Sequence, residues 1–331
     1  MALADPTPAG QTRLLAGMGS DTTEDVMNVL SEVPPNGSEV IASYNASGSP
    51  NPVRTKAPIN GDCLLNRAVG STNGVRALRD ERAAAAAANP QRRPCLDFAR
   101  SSANTSQAAE FNGTGLTYIP FASDQVSIVT RFDGLLAPNF TPAQLSAIFR
   151  CTAAGTIANP PTIVPLLPQA GSGTVNFFLS SIGITEAQVG TCVGRADLTV
   201  NPPTPLLENK GNRMTDPRNI MPHSAAQFFA QYYDVIADEK DRAEIKRVNN
   251  IVPTSPTFPF QREVFNVIPT NEINNAPYST TFVGGASAVC SSPGEVTRLG
   301  FGLLPAGRCG AIDPLLQTPG GAGINLPGPT T

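Results

Sequence analysis

Short apolar runs alternate with longer amphipathic segments along most of this chain. Leu14 to Ser20 reads as a short buried strand ending in a Gly-Ser turn. Asp21 to Val33 then predicts a helix: Asp21, Thr22 and Thr23 supply capping groups, Glu24 and Asp25 suit its positive end, and Val26, Val29 and Leu30 make an apolar face. Val40 to Tyr44 predicts a second strand, running into Asn45-Ala46-Ser47-Gly48-Ser49. Gly74 to Ala88 predicts a helix that ends in six consecutive alanines. Cys95 to Ala99, Leu116 to Phe121 and Ser127 to Arg131 read as strands. Thr141 is a natural N-cap and Pro142 a natural first residue for a helix through Phe149. Thr162 to Leu167 predicts a strand, Ser224 to Ile236 a helix and Val264 to Val267 a strand, while the alternating charges of Asp238 to Lys246 suggest a solvated helix face. Strands alternating with helices predict an α/β fold with a largely parallel sheet. In such sheets ligands sit where strand ends meet helix starts. Residues 1–12 read as a Pro- and Gly-rich leader, the residues after Leu316 as a loose tail, and no repeat of fixed period is present.

Composition narrows the classes. A chain of 331 residues is long enough for two lobes, each with its own core. Charged residues make up 15% and the net charge is −3, which argues against nucleic acid or a polybasic membrane patch as partner. The single His and the wide spacing of the cysteines argue against a zinc site, and no other metal or cofactor is expected. Six cysteines, an even number, favour disulfides and an oxidising compartment. The simplest pairing joins neighbours: Cys63–Cys95, Cys151–Cys192 and Cys290–Cys309. Each would close a loop worth about 3–4 kcal/mol in the chain-entropy model. Ala2-Leu3-Ala4 before Asp5 resembles the small-x-small end of an export signal, so a secreted or cell-envelope location is expected.

The candidate chemistry lies in three turns. Gln169-Ala170-Gly171-Ser172-Gly173-Thr174 opens onto the apolar run Val175 to Leu179, offering backbone N–H groups, hydroxyls and a positive helix end to one point. Gly19-Ser20-Asp21-Thr22-Thr23 opens the first helix, and Arg100-Ser101-Ser102 follows a strand. Asp97 is expected to bond loop amides, His223 to cap or pack, and Glu208-Asn209-Lys210-Gly211 to form a surface turn. Asp21 either caps its helix or accepts a proton from a bound oxyanion. No nucleophile with a base, and no metal set, supports a hydrolase.

These pieces resemble the phosphate-binding proteins of ABC transporters, in particular their secreted actinobacterial form. The segments Gly19 to Thr23, Ser43-Tyr44-Asn45-Ala46-Ser47-Gly48-Ser49, Leu96-Asp97-Phe98-Ala99-Arg100-Ser101-Ser102 and Leu167 to Thr174 stand in the family's order, and the likeness covers most of residues 13–310. The resemblance implies a type II periplasmic-binding-protein fold: two α/β lobes joined by two crossovers, with a ligand cleft. The lobes are expected at 5–120 plus 260–331 and at 121–259. It also implies non-catalytic capture of inorganic phosphate, or a similar oxyanion, for a membrane permease. Its phosphate-touching positions fall here on Thr22 or Ser20, on Ser47 or Ser49, on Ser101 with Ser102, and on Ser172, Gly173 and Thr174; Asp21 and Gly171 join the candidate set from their place in the turns. Two positions depart from the family: Ser102 stands where an aspartate is usual, and Pro168 where an arginine is usual. Arg100 is one replacement for that lost guanidinium; the other reading makes it a surface ion-pair partner. A structural protein that reuses the fold for self-assembly, its cleft degenerate, is the alternative from another class.

Overall fold

A computed structural model describes residues 5–6, 12–32, 40–57, 63–88, 94–134, 136–152, 163–197 and 203–321. Ala2-Leu3-Ala4, most of the expected leader and residues 322–331 of the expected tail lie outside the described residues. The first half of the chain forms strands β1 (Leu15–Gly19), β2 (Ile41–Ser43), β3 (Val53–Lys56), β4 (Cys63–Leu65), β5 (Phe98–Ser101) and β6 (Leu116–Arg131). Helices α1 (Glu24–Glu32) and α2 (Ser71–Ala88) lie among them. Next come β7 (Asn139–Phe140), α3 (Pro142–Phe149), β8 (Val164–Pro165), α4 (Gly173–Ser181), β9 (Ala196–Asp197) and β10 (Thr204–Pro205). The remainder adds β11 (Asn219–Ser224), α5 (Ala225–Tyr232), β12 (Ala243–Ile245), β13 (Arg247–Val248) and β14 (Gln261–Pro269). Two short helices close the series, α6 (Tyr278–Phe282) and α7 (Pro293–Arg298).

The chain packs as two units. The first comprises Met1–Ser123, Glu263–Arg298 and Gly302–Thr331; the second comprises Asp124–Arg262 and Leu299–Phe301. The chain therefore passes between them inside β6, inside β14 and around residues 299–301.

In the first unit β1 lies between β2 and β5 and is parallel to both, with Leu15 opposite Ile41 and Gly17 opposite Phe98. β14 runs antiparallel to β5, Phe265 opposite Ser101. Met18, Tyr44, Leu78, Leu96, Phe111, Tyr118 and Phe265 fill the core beneath this sheet. In the second unit β11 is antiparallel to β6 and parallel to β8, and β12 adds antiparallel to β6. Its core includes Phe140, Ile220 and an edge-to-face chain of Phe149, Phe178 and Phe260, with ring centroids 5.0 and 6.3 Å apart. Disulfides join Cys63 to Cys95, Cys151 to Cys192 and Cys290 to Cys309.

The sheets are mixed, where sequence alternation predicted largely parallel pairing. β6 and β14 carry the chain between units without a helical crossover, and their neighbours pair with them antiparallel. Leu116 to Phe121 and Ser127 to Arg131 are one strand of 16 residues. The polar residues between them need no turn. Ser123 exchanges two backbone hydrogen bonds with Gly302, and Asp124 takes buried side-chain partners. Asp238 to Lys246 is not a helix face. The Asp238 carboxylate accepts the Lys240 and Asp241 N–H groups, Asp241 adopts a φ of 46°, and Ala243–Ile245 then pairs with β6. The part of the tail that is described is docked: the Thr318 N–H bonds to Leu116 O at 2.9 Å and the Gly113 N–H to Pro319 O at 2.7 Å.

Candidate functional site

In the first unit, β1 ends at Gly19 with a φ of +139°, a conformation that favours glycine. A Cβ there would stand 2.5 Å from Arg100 O, and one on Gly74 would stand 2.5 Å from the Gly19 Cα. This close approach seats the first turn of α2 against the turn that opens α1. Three fully buried hydroxyls meet there. Ser20 Oγ donates to Ser102 Oγ at 3.0 Å, Ser71 Oγ and Ser102 Oγ are 3.2 Å apart, and the Ser102 N–H donates to Ser71 Oγ at 2.9 Å. The Ser71–Ser102 contact engages one of their two hydroxyl hydrogens and leaves the other to donate elsewhere. The hydroxyls of Thr23 and Thr72, beside the starts of α1 and α2, are buried without a hydrogen-bond partner. Two helix N-termini and this hydroxyl set give a donor-rich, positively polarised cluster suited to an anion. Asp21 and Thr22 are buried in the same turn.

Arg100, considered above as a ligand fork or a surface ion-pair partner, is bound within its own unit. Its Nε donates to Ser20 O at 3.1 Å, and its Nη1 donates to Ser43 Oγ at 2.8 Å and Tyr44 O at 2.7 Å. Nη2 faces Glu24 Oε2 at 3.6 Å, and the guanidinium is fully buried rather than on the surface. Arg100 thus clamps the β1–α1 turn to the end of β2. Burial pushes the Glu24 carboxyl up to about 7 against the opposing pull of Arg100, and burial lowers Arg100 itself. Glu24 Oε2 also accepts the Ala46 N–H at 2.5 Å, which fixes the base of the Ser47–Ser49 loop. Ser47 and Ser49 are exposed, whereas Ser101 is buried and donates to Ala103 O at 2.7 Å.

In the second unit, Ser172 is the N-cap of α4, its Oγ accepting the Val175 N–H at 3.1 Å. That hydroxyl donates to Glu208, whose side chain is fully buried. Glu208 and Asn209 are therefore interior, not the surface turn expected; the carboxylate is drawn in by the Ser172 hydroxyl. Thr174 Oγ1 accepts from Arg262 Nη2 at 2.8 Å, and Arg262 in turn binds Asp124 Oδ2 through Nε at 3.1 Å and Nη2 at 2.7 Å. The other Asp124 oxygen accepts from Ser224 Oγ at 2.9 Å and from the Ala226 N–H at 3.2 Å. The Ser172–Thr174 turn therefore sits beside a buried guanidinium–carboxylate pair.

Each unit thus gathers its own share of the expected residues: Ser20, Asp21, Thr22, Arg100, Ser101 and Ser102 in one, Gly171 to Thr174 in the other. The sequence reading missed Ser71, Thr72, Glu208, Asp124 and Arg262. Gly70-Ser71-Thr72 carries the same small-hydroxyl signature before a helix as the turns that were found. Arg262 and Asp124 carried no local signal, being strand residues 138 positions apart. Asp97 is structural: it accepts from the Ala16 N–H at 2.7 Å and from the Tyr278 hydroxyl at 3.0 Å, and pairs with Lys56. His223 is a packed core residue, fully buried, its ring edge-on to Phe228 and its pKa lowered by burial. Among the described residues, no three His, Cys, Asp or Glu side chains gather to hold a metal ion.

No protein-family model matches the chain and no curated protein matches it. Solved structures do. One from Clostridium perfringens, assigned as a phosphate ABC-transporter substrate-binding protein and solved with bound phosphate, is 14% identical with a TM-score of 0.56 over 89% of this chain and 100% of its own. An ABC-type phosphate transport receptor from Vibrio cholerae is 17% identical with a TM-score of 0.54, over 88% and 100%. A phosphate-binding protein from Stenotrophomonas maltophilia is 13% identical with a TM-score of 0.51, over 88% and 91%. At such identities the likeness establishes architecture, and the chain has the α/β fold of the periplasmic phosphate-binding proteins.

Proposed function

We propose that this chain is an extracytoplasmic solute-binding protein that captures phosphate or a related tetrahedral oxyanion for an ABC permease, without catalysis. The observation that carries the reading is the buried Ser20–Ser71–Ser102 hydroxyl set at the starts of α1 and α2, on a fold shared with proteins whose ligand is phosphate. Neutral hydroxyls and backbone N–H groups at helix starts satisfy oxyanion oxygens without a large net charge. The Ser172–Gly173–Thr174 turn of the second unit is proposed to offer an oxyanion of the same class the backbone N–H groups of its helix start. The sequence resemblance to the secreted actinobacterial form and the three disulfides support a location outside the cytoplasm.

The ligand's identity turns on protonation. Hydrogenphosphate needs an acceptor for its proton, which sulfate lacks, and Ser102 occupies the position where a carboxylate is usual. Titration calorimetry of the chain with phosphate, arsenate and sulfate tests the reading: one-to-one binding of at least one ion is expected. No heat and no thermal shift with any of them would remove it, and an unliganded chain that assembled into particles would establish the structural alternative.

A further inference from the structure

We infer that Arg262 supplies the oxyanion's guanidinium in the second unit, an inference that rests on the solute-binding reading above. Its side chain is almost wholly buried; three hydrogen bonds hold it, two to Asp124 Oδ2 and one to Thr174 Oγ1, and its guanidinium lies over the Phe177 ring at 5.7 Å from the centroid. All of these bonds use Nε and Nη2. Nη1 is buried with no hydrogen-bond partner. Asp124 cannot turn to catch it, because its second oxygen already accepts from Ser224 and Ala226. A buried guanidinium edge of this kind is a donor held ready for an acceptor that the chain itself does not provide. It stands beside Thr174, on the turn that ends Gln169-Ala170-Gly171-Ser172-Gly173-Thr174.

The same turn holds a second buried group without a partner. Gln169, whose main-chain carbonyl accepts the Ser172 N–H at 3.2 Å, is 9% exposed, and neither its Oε1 nor its Nε2 has a hydrogen-bond partner. Two independent polar side chains left unsatisfied around one helix start point to a ligand rather than to packing. The ligand class follows from the donors. A planar guanidinium edge with adjacent N–H groups recognises phosphate, arsenate or sulfate through charge-assisted bonds. Pro168, which stands where the resembled family has an arginine, then removes no charge from the site: the guanidinium arrives from β14 instead.

The test is calorimetry with phosphate, arsenate and sulfate on wild type, Arg262→Lys and the double variant Asp124→Asn/Arg262→Gln, each paired with a thermal melt. Lysine keeps the charge beside Asp124 but cannot offer a second N–H edge, so R262K is expected to bind at least ten-fold more weakly. The double variant removes both charges of the pair and is expected to stay folded while binding no better than R262K. Wild-type binding with R262K within two-fold of it overturns the inference alone. So does recovery of affinity in the double variant, which would make Arg262 a structural partner of Asp124. Wild type that binds none of the ions overturns the functional reading and this inference together. If R262K does not fold, a crystal structure of the wild-type chain with the bound ion decides: Nη1 within ~3.5 Å of an ion oxygen supports the inference, and a longer separation refutes it.

Discussion

The two units each bury one arginine beside a hydroxyl-bearing turn, and the two arginines are used in opposite ways. Arg100 directs Nε and Nη1 onto Ser20 O, Ser43 Oγ and Tyr44 O, and its Nη2, which also has no hydrogen bond, faces the Glu24 carboxyl at 3.6 Å. Its bonds run to two separate stretches of its own unit, 20–24 and 43–44, so its work is to hold those loops in register. Arg262 directs two nitrogens onto one carboxylate oxygen and one hydroxyl, and keeps Nη1 without a partner. The residue next to a binding motif in sequence is the fastener. The one placed to meet a ligand comes from a distant strand.

The largest effect expected from breaking this contrast is on stability. Arg100→Met would remove all three hydrogen bonds and, above pH ~7 where Glu24 is ionised, leave its carboxylate buried without its cation. Removing one partner of a buried pair costs about 3–5 kcal/mol. Urea unfolding should show that loss as a lower midpoint at an unchanged slope. Arg262→Lys, which keeps a cation beside Asp124, should lose far less stability while losing ligand. Equal destabilisation by the two would erase the distinction.

A related prediction uses pH. The Glu24 carboxyl is pushed up to about 7 by burial, from an ordinary 4.5. The folded chain therefore holds this proton over a range where the unfolded chain has released it. The resulting stabilisation is complete below pH ~4.5 and is lost as pH rises through ~7, amounting to about 3 kcal/mol. Glu24→Gln should flatten that segment of the stability–pH curve. A curve of unchanged slope between those limits would show that Arg100 keeps Glu24 ionised throughout.

What the sequence made legible was local chemistry. The Thr141 cap was readable because both of its partners lie within one turn: Gln144 N–H donates to Thr141 Oγ1 at 3.2 Å and Thr141 N–H to Gln144 Oε1 at 2.8 Å. The helix starts after Ser172 and Ser20 were readable for the same reason. Ser71 is equally open to that reasoning, but the sequence pattern predicts the α2 helix from Gly74, after its own capping turn, whereas the helix begins at Ser71. Arg262 could not be read at all. Its bond to Thr174 spans 88 positions, and a charged residue on a strand ordinarily signals an exposed face. The unbroken β6 was hidden likewise, because Asp124 reads as a turn residue until Arg262 pairs its charge and Ser224 donates to its other oxygen.

Smaller effects test how tightly the first unit's turn is built. Gly74→Ala places a methyl 2.5 Å from the Gly19 Cα and 3.0 Å from Met18 O, both backbone atoms that cannot move aside alone. Overpacking of this kind costs about 1–3 kcal/mol. Because the first turn of α2 would shift with Ser71 on it, oxyanion affinity should fall along with the melting temperature. Affinity that survives a lower melting temperature would separate the Ser71 position from the site.

The finest comparison sets one serine from each unit against the other. Ser172 already gives its hydroxyl hydrogen to Glu208 and accepts the Val175 N–H, so it has none left for a ligand. Ser172→Ala should cost about 1 kcal/mol of stability through the lost cap, while affinity changes little, because an oxyanion there would use backbone N–H groups. Ser102 shares a hydroxyl pair with Ser71 that still has one hydrogen to donate. Ser102→Ala should therefore weaken binding by about ten-fold, the equivalent of one net hydrogen bond of about 1.4 kcal/mol. A larger affinity loss from Ser172→Ala than from Ser102→Ala would mean that Glu208 releases the Ser172 hydroxyl when the ion arrives. The buried carboxylate would then act as an acceptor for a protonated ligand, and discrimination of phosphate from sulfate would belong to the second unit rather than the first.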